Sequence, residues 1–159
     1  MHIIESYLKK RGITSPWKID PKPQKKFHQV VVIPSYNELE MLPSTLESLN
    51  ANNISLLENT LVIVVINHGK DSDLKVKENN KLTIQILKNK NTHFTLGIVD
   101  AASSGLELPP KQAGVGMARR IGMDLALSHL SSDQSLIFCT DADTIVDKDY
   151  IAKVLMYFD

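Results

Sequence analysis

Cysteine and net charge are both scarce in this sequence, and each shortage removes a class of protein. Cys139 is the one cysteine, so no internal disulfide forms, and its place in an apolar run marks it as a small core residue rather than a nucleophile. Lys and Arg number 18 and Asp and Glu number 18, and a formal charge of zero leaves no broad basic surface for nucleic acid. No apolar run approaches the roughly 20 residues of a membrane span. The first residues are mixed and polar, unlike a secretory leader. These absences predict a cytoplasmic protein with no nucleic-acid partner, and they leave any membrane association to parts outside this chain. What remains is 43% hydrophobic and 23% charged over 159 residues, the balance of one ordinary globular domain.

The stretch Leu136-Ile137-Phe138-Cys139-Thr140-Asp141-Ala142-Asp143 makes the sharpest chemical demand. A short apolar run bounded by polar residues reads as a buried strand. Asp141 and Asp143, two apart, would share a side of an extended chain. Two like charges held close are unfavourable unless a cation sits with them. Mg²⁺ and similar hard cations take carboxylate oxygens and complete their shell with water and phosphate. The competing reading makes Asp143 or Thr144 the opening of a helix over Asp147–Phe158. Spacing alone leaves the two readings balanced.

The rest of the chain alternates. A helix is expected over His2–Gly12, then an irregular surface connection over Thr14–Lys26 with three prolines and Trp17 as its anchor. Residues 1–28 thus form an N-terminal helix and linker, and residues 29–159 the main domain. Gln29–Ile33, β-branched throughout from Val30, and the apolar run Leu61–Ile66 read as strands buried on both faces. Pro34 is expected to end the first. A helix from about Glu40 to Asn50 buries Leu42, Leu46 and Leu49. Lys70–Lys81 has only a weak helical pattern, and Leu82–Leu87 reads as a third strand. Lys88–Lys111 is expected to be mostly loop, with a short strand near Phe94–Val99. A helix from about Gly116 to Leu130 follows Gly114 and Gly116, whose position leaves backbone N–H groups open to an anion. The alternation predicts an α/β fold: a mainly parallel, Rossmann-like sheet flanked by helices, with ligands at the carboxyl ends of its strands.

Four stretches together resemble the nucleotide-sugar-binding half of family 2 glycosyltransferases, which have the GT-A fold: Val-Ile-Pro-Ser-Tyr-Asn-Glu (32–38), Val-Val-Ile-Asn-His-Gly-Lys-Asp-Ser-Asp (64–73), Gly-Val-Gly-Met-Ala-Arg-Arg-Ile-Gly (114–122) and Thr-Asp-Ala-Asp (140–143). The resemblance implies that Pro34, Tyr36 and Glu38 contact the base and ribose of a nucleoside diphosphate sugar. It places Asp141 near the ribose and Asp143 on a divalent cation, Mg²⁺ or Mn²⁺. Arg119 or Arg120 would reach a phosphate or the base, the other being a solvated helix residue. Asn67 and His68 depart from the pair of aspartates usual in the family; an amide both donates and accepts, so Asn67 still suits a base edge. His68 and His93 are weak candidates for metal ligands. The implied reaction is sugar transfer with inversion to an unknown acceptor (glycan, lipid or small molecule), with the general base beyond Asp159. The incomplete sheet predicts self-association. Two alternatives stay open: a degenerate nucleotide-binding module without transfer activity, and a metal-dependent nucleotidyltransferase, for which Pro34–Glu38 lacks the expected Gly-rich signature.

Overall fold

A computed structural model of the chain describes residues 2–13 and 15–158. Helix α1 (His2–Arg11) precedes a short strand β1 (Ile19–Asp20). Then come β2 (Gln29–Ser35), α2 (Leu42–Asn50), α3 (Ile54–Leu57), β3 (Thr60–Asn67), α4 (Leu74–Lys88), β4 (Thr95–Ala101), α5 (Val115–Leu127), β5 (Leu136–Cys139) and α6 (Tyr150–Met156). The five strands form one sheet in the order β1-β4-β3-β2-β5. Every pairing is parallel except β1 against β4. The expected α/β fold, a mainly parallel sheet flanked by helices, is therefore present.

Strand alternation divides the core into two layers. Val31, Ile33, Val62, Val64 and Ile66 face α2, α3, α4 and α6, meeting Leu46, Leu49, Leu57, Leu87 and Ile151. Val30, Val32, Leu61, Ile63 and Val65 face the other way, onto Ala118, Ile121 and Ala126 of α5 and onto Trp17 and Phe27. Trp17 anchors the N-terminal connection as expected: its ring is buried and its Nε1–H donates to the Leu106 carbonyl at 2.7 Å. Thr14, where that connection was expected to begin, lies outside the described residues.

Two expectations are corrected. Leu82–Leu87 is not a strand but the last part of α4. Asn80, Thr83, Ile84 and Leu87 are buried while Leu82 and Ile86 are exposed, which is the stripe of a helix and not the alternation of a strand. The β-branched residues there gave a strand-like composition that packing overrides. The third long strand is β4 instead, at the place where a short strand was expected near Phe94–Val99. Strand β2 also runs through Pro34 to Ser35, still paired with Val65 and Ile66. Pro34 lies past the last β2–β5 pair, Val32 with Cys139, so its missing N–H falls at a strand tip with one neighbour gone.

The chain moves from β2 through β3 to β4 in one direction and then returns to place β5 on the far side of β2. The order reverses between β2 and β5. In open α/β sheets the crevice beyond the carboxyl ends of the strands at such a reversal is where ligands bind.

Candidate functional site

Four loops meet beyond these strand tips. The loop after β2 begins at Tyr36, half exposed, and turns at Asn37, whose φ of 60° is in the left-handed region that asparagine tolerates. Two side chains of α4 hold this turn: the Asn37 N–H donates to Asn80 Oδ1 at 3.0 Å and the Leu39 N–H to Asn79 Oδ1 at 3.2 Å. The loop after β3 begins at Asn67 and His68, both buried. The Asn67 amide nitrogen donates to the carbonyls of Ser35 (3.0 Å) and Val65 (3.2 Å). Both amide hydrogens are thus engaged, and the side-chain oxygen is what Asn67 has left to offer.

The acidic pair does not lie in the strand itself. Strand β5 ends at Cys139, and Asp141 to Asp143 form a turn beyond it. Ala142 is buried between two exposed carboxylates, and its carbonyl accepts from Thr45 Oγ1 at 2.6 Å. Farther along, the Val146 N–H donates to Ser48 Oγ (3.1 Å) and Asn52 bridges the Asp147 carbonyl (3.1 Å) and the Ile151 N–H (3.0 Å). Residues of α2 and its C-terminal turn therefore tie the acidic loop down. Neither Asp143 nor Thr144 caps α6, whose N-cap residue is Asp149, paired with Lys153 at 2.9 Å.

The fourth contribution is α5. Gly114, at φ 151° and ψ 171°, leads into it without a side-chain cap, so its first N–H groups stay open. Arg119 bonds Asp141, and its Nε is buried without a partner. Arg120 does not enter the cleft: its guanidinium donates to the Arg11 carbonyl at 2.9 Å and lies 3.8 Å from Asp124.

A cavity of about 340 Å³ is lined by Pro34, Tyr36, Glu38, Asn67, Arg119 and the turn Asp141 to Asp143. A larger one, about 660 Å³, shares Tyr36, Asn67 and Val115 with it and extends past His68, Lys70, Pro110 and Gly114. The sequence-predicted residues thus converge, Arg120 excepted. His93 is exposed and lines neither cavity. Missed by sequence were Asn79 and Asn80 on α4 and Thr45, Ser48 and Asn52, which only position others and so leave no motif.

Glu38 has its pKa raised, first by burial and then by the charge of Asp143, so two carboxylates feel each other across the cleft. Among the described residues no three His, Cys, Asp or Glu side chains converge to cage a metal. One or two carboxylates fit Mg²⁺ or Mn²⁺ that completes its shell with phosphate and water; they do not fit a structural zinc site.

A mainly parallel sheet with an order reversal, acidic and basic groups at its tips and an uncapped glycine-led helix define an open α/β protein with a ligand crevice at its strand tips. Residues 30–159 match the family model described as glycosyl transferase family 2, and the chain belongs to that family. Among solved structures it is similar to S. aureus TarS 1-349, at 16% identity and a TM-score of 0.56, covering 82% of this chain and 32% of that one. The same protein has been solved in complex with UDP-GlcNAc. The mannosyltransferase PcManGT from Pyrobaculum calidifontis, in complex with GDP-Man and Mn2+, matches at 20% identity and a TM-score of 0.52, covering 99% of this chain and 39% of that one. The chain thus spans about a third of the length of these relatives, which share its fold. No curated protein matches it in sequence.

Proposed function

We propose that this chain is the donor-binding part of a glycosyltransferase, which moves a sugar from a nucleoside diphosphate to an acceptor hydroxyl with inversion. The observation that carries the reading is the meeting of Tyr36, Asn67, Arg119 and Asp141–Asp143 at one reversal of strand order. The complexes of TarS with UDP-GlcNAc and of PcManGT with GDP-Man and Mn2+ support it.

In this reading the larger cavity receives the nucleoside. Tyr36 provides an aromatic wall and Asn67 Oδ1 accepts from a base N–H. The diphosphate lies toward α5, where open N–H groups and the exposed end of the Arg119 guanidinium donate to its oxygens. Asp143 holds the divalent cation, with Asp141 beside it. Mg²⁺ or Mn²⁺ bound there supplies Lewis-acid stabilisation of the charge on the leaving diphosphate. The chain's own residues orient the donor and hold that charge in place. Inversion also requires a general base on the acceptor side. Asp147 and Asp149 line neither cavity, so neither is assigned that role. The acceptor is a glycan, a lipid or a small molecule carrying a hydroxyl.

Calorimetric titration with UDP and GDP, with and without Mn²⁺, tests the reading. At least one is expected to bind, more tightly with the metal. If neither binds in either condition, the donor-site assignment is wrong.

A further inference from the structure

The zero net charge of the whole chain hides a division within it. Residues 1–28 carry seven Lys and Arg against two acids, Glu5 and Asp20, an excess of five positive charges. Residues 29–159 carry the same excess of negative ones. Such asymmetry marks a segment that meets an anionic partner. All seven basic side chains are exposed.

The fold gathers most of them around the carboxyl end of α5. Asp124, buried one turn before that end, accepts from the Tyr7 hydroxyl at 2.9 Å and from the Ile13 N–H at 2.8 Å. It thereby clamps α1, with Lys9, Lys10 and Arg11 in its last turn, onto α5. Lys26 Nζ bonds the carbonyl of Ser128, the C-cap of α5. Burial, and then the charges of Lys26 and Lys22, lower the pKa of His129, which puts both lysines beside that ring. The dipole of α5 accounts for Lys26, but not for the three exposed charges of α1. This end of α5 lies at the amino ends of the strands, where the Phe27 N–H donates to the His129 carbonyl at 2.9 Å just before β2. The donor cleft lies at the opposite ends, so a partner here leaves it open.

Two features choose between anionic partners. Ile3 is 83% exposed. It shares a helical stripe with Ser6, Tyr7 and Lys10, and these line a groove of about 370 Å³. An apolar side chain beside lysines suits a surface whose phosphates overlie hydrocarbon. Nucleic acid is favoured less. Six of the seven cations are lysines, point charges without the fork of arginine. Nor is an aromatic ring free to stack on bases, since Trp17 and Phe27 are buried and Tyr7 is tied to Asp124.

We propose that residues 1–28 form a docking face for an anionic lipid bilayer, with the basic side chains on headgroup phosphates and Ile3 entering the interface. Membrane association, expected only from parts outside this chain, is thereby assigned to the chain itself. The inference stands apart from the donor-site reading.

The test is sedimentation of the full chain with vesicles of phosphatidylcholine alone or mixed with phosphatidylglycerol. Binding is expected only to the mixed vesicles, and raised salt is expected to release it. Lys9→Gln with Lys10→Gln, both at exposed positions, is expected to lower vesicle affinity about twentyfold to thirtyfold, about fivefold for each charge. Ile3→Ser is expected to lower it at low and high salt alike. Thermal melts and nucleotide titrations are expected to be the same for these variants as for the unaltered chain. Equal binding to both vesicle types, binding to neither, or an affinity unmoved by the lysine changes overturns the inference. A tighter grip on an oligonucleotide at equal phosphate concentration overturns it in favour of nucleic acid. Salt-sensitive self-association that is lost in the lysine variant gives the patch to a second copy and overturns it as well.

Discussion

Asn80 shows how much of this cleft depends on side chains that touch no ligand. Replacing it with Ala strands the Asn37 N–H, the Asn67 carbonyl and His68 Nδ1 in a buried site. The expected loss is about 2–3 kcal/mol, since buried polar groups left unpaired carry their full desolvation cost. Urea denaturation with an unchanged m-value measures it. Sequence gave no hint of this residue, because a buried asparagine looks like any surface asparagine until the fold brings its partners together. The pair Asp141 and Asp143 stood out by type and spacing, whereas Arg119 entered only through the family resemblance, which left it level with Arg120 until the fold turned Arg120 toward Arg11 and Asp124. His68 and His129 add a pH dependence. Burial is the main cause that lowers both pKa values, with nearby lysines adding to it. The unfolded chain therefore takes up these protons first. Stability is full above the ordinary histidine value of 6.5 and falls as the pH drops through it. Thermal melts between pH 8 and about pH 5.5 are expected to show a falling midpoint, and His68→Gln to flatten part of that slope.

At the scale of elements, β2, β3, α2, α5 and β5 were readable because their patterns agree with their burial. Two β-branched runs buried on both faces left no other reading. Helix α4 was misread because Thr83, Ile84 and Ile86 favour strand composition, while its buried stripe depends on Asn80, a polar residue that no hydrophobicity pattern counts. Helix α5 rests on the sheet through Gly122. A Cβ there would overlap the Val32 side chain and come within 3.0 Å of Val65 Cγ2. Gly122→Ala should therefore push α5 off β2 and β3 at a cost of about 1–3 kcal/mol, despite alanine's better helix propensity. A Tm that rises instead would show that α5 does not sit this close. Because α5 carries Arg119, the same variant is expected to weaken nucleotide binding.

For the whole molecule, the order β1-β4-β3-β2-β5 decides where the candidate site lies, since its reversal brings the loops after β2 and β5 together. Which strands would be neighbours was not written in any single segment. Strand β5 closes one edge of the sheet with no strand beyond it among the described residues, and its side chains are only half buried. At the end of α6, Met156, Tyr157 and Phe158 are 76%, 88% and 70% exposed. An open edge and exposed apolar side chains each favour association. Light scattering of the isolated chain is expected to show a mass that grows with concentration, and a constant monomer mass would remove this expectation. No described helix is long and apolar enough to cross a membrane.

The central claim is that the turn Asp141 to Asp143 and the loop at Tyr36 to Glu38 form one site where a divalent cation meets a nucleoside diphosphate. Paramagnetic broadening by substoichiometric Mn²⁺, in the presence of UDP or GDP, tests it most directly. Amide signals of residues 36–38 and 140–144 are predicted to broaden first, and Asp143→Ala to abolish the effect. Broadening centred elsewhere, or unchanged in Asp143→Ala, would contradict the account.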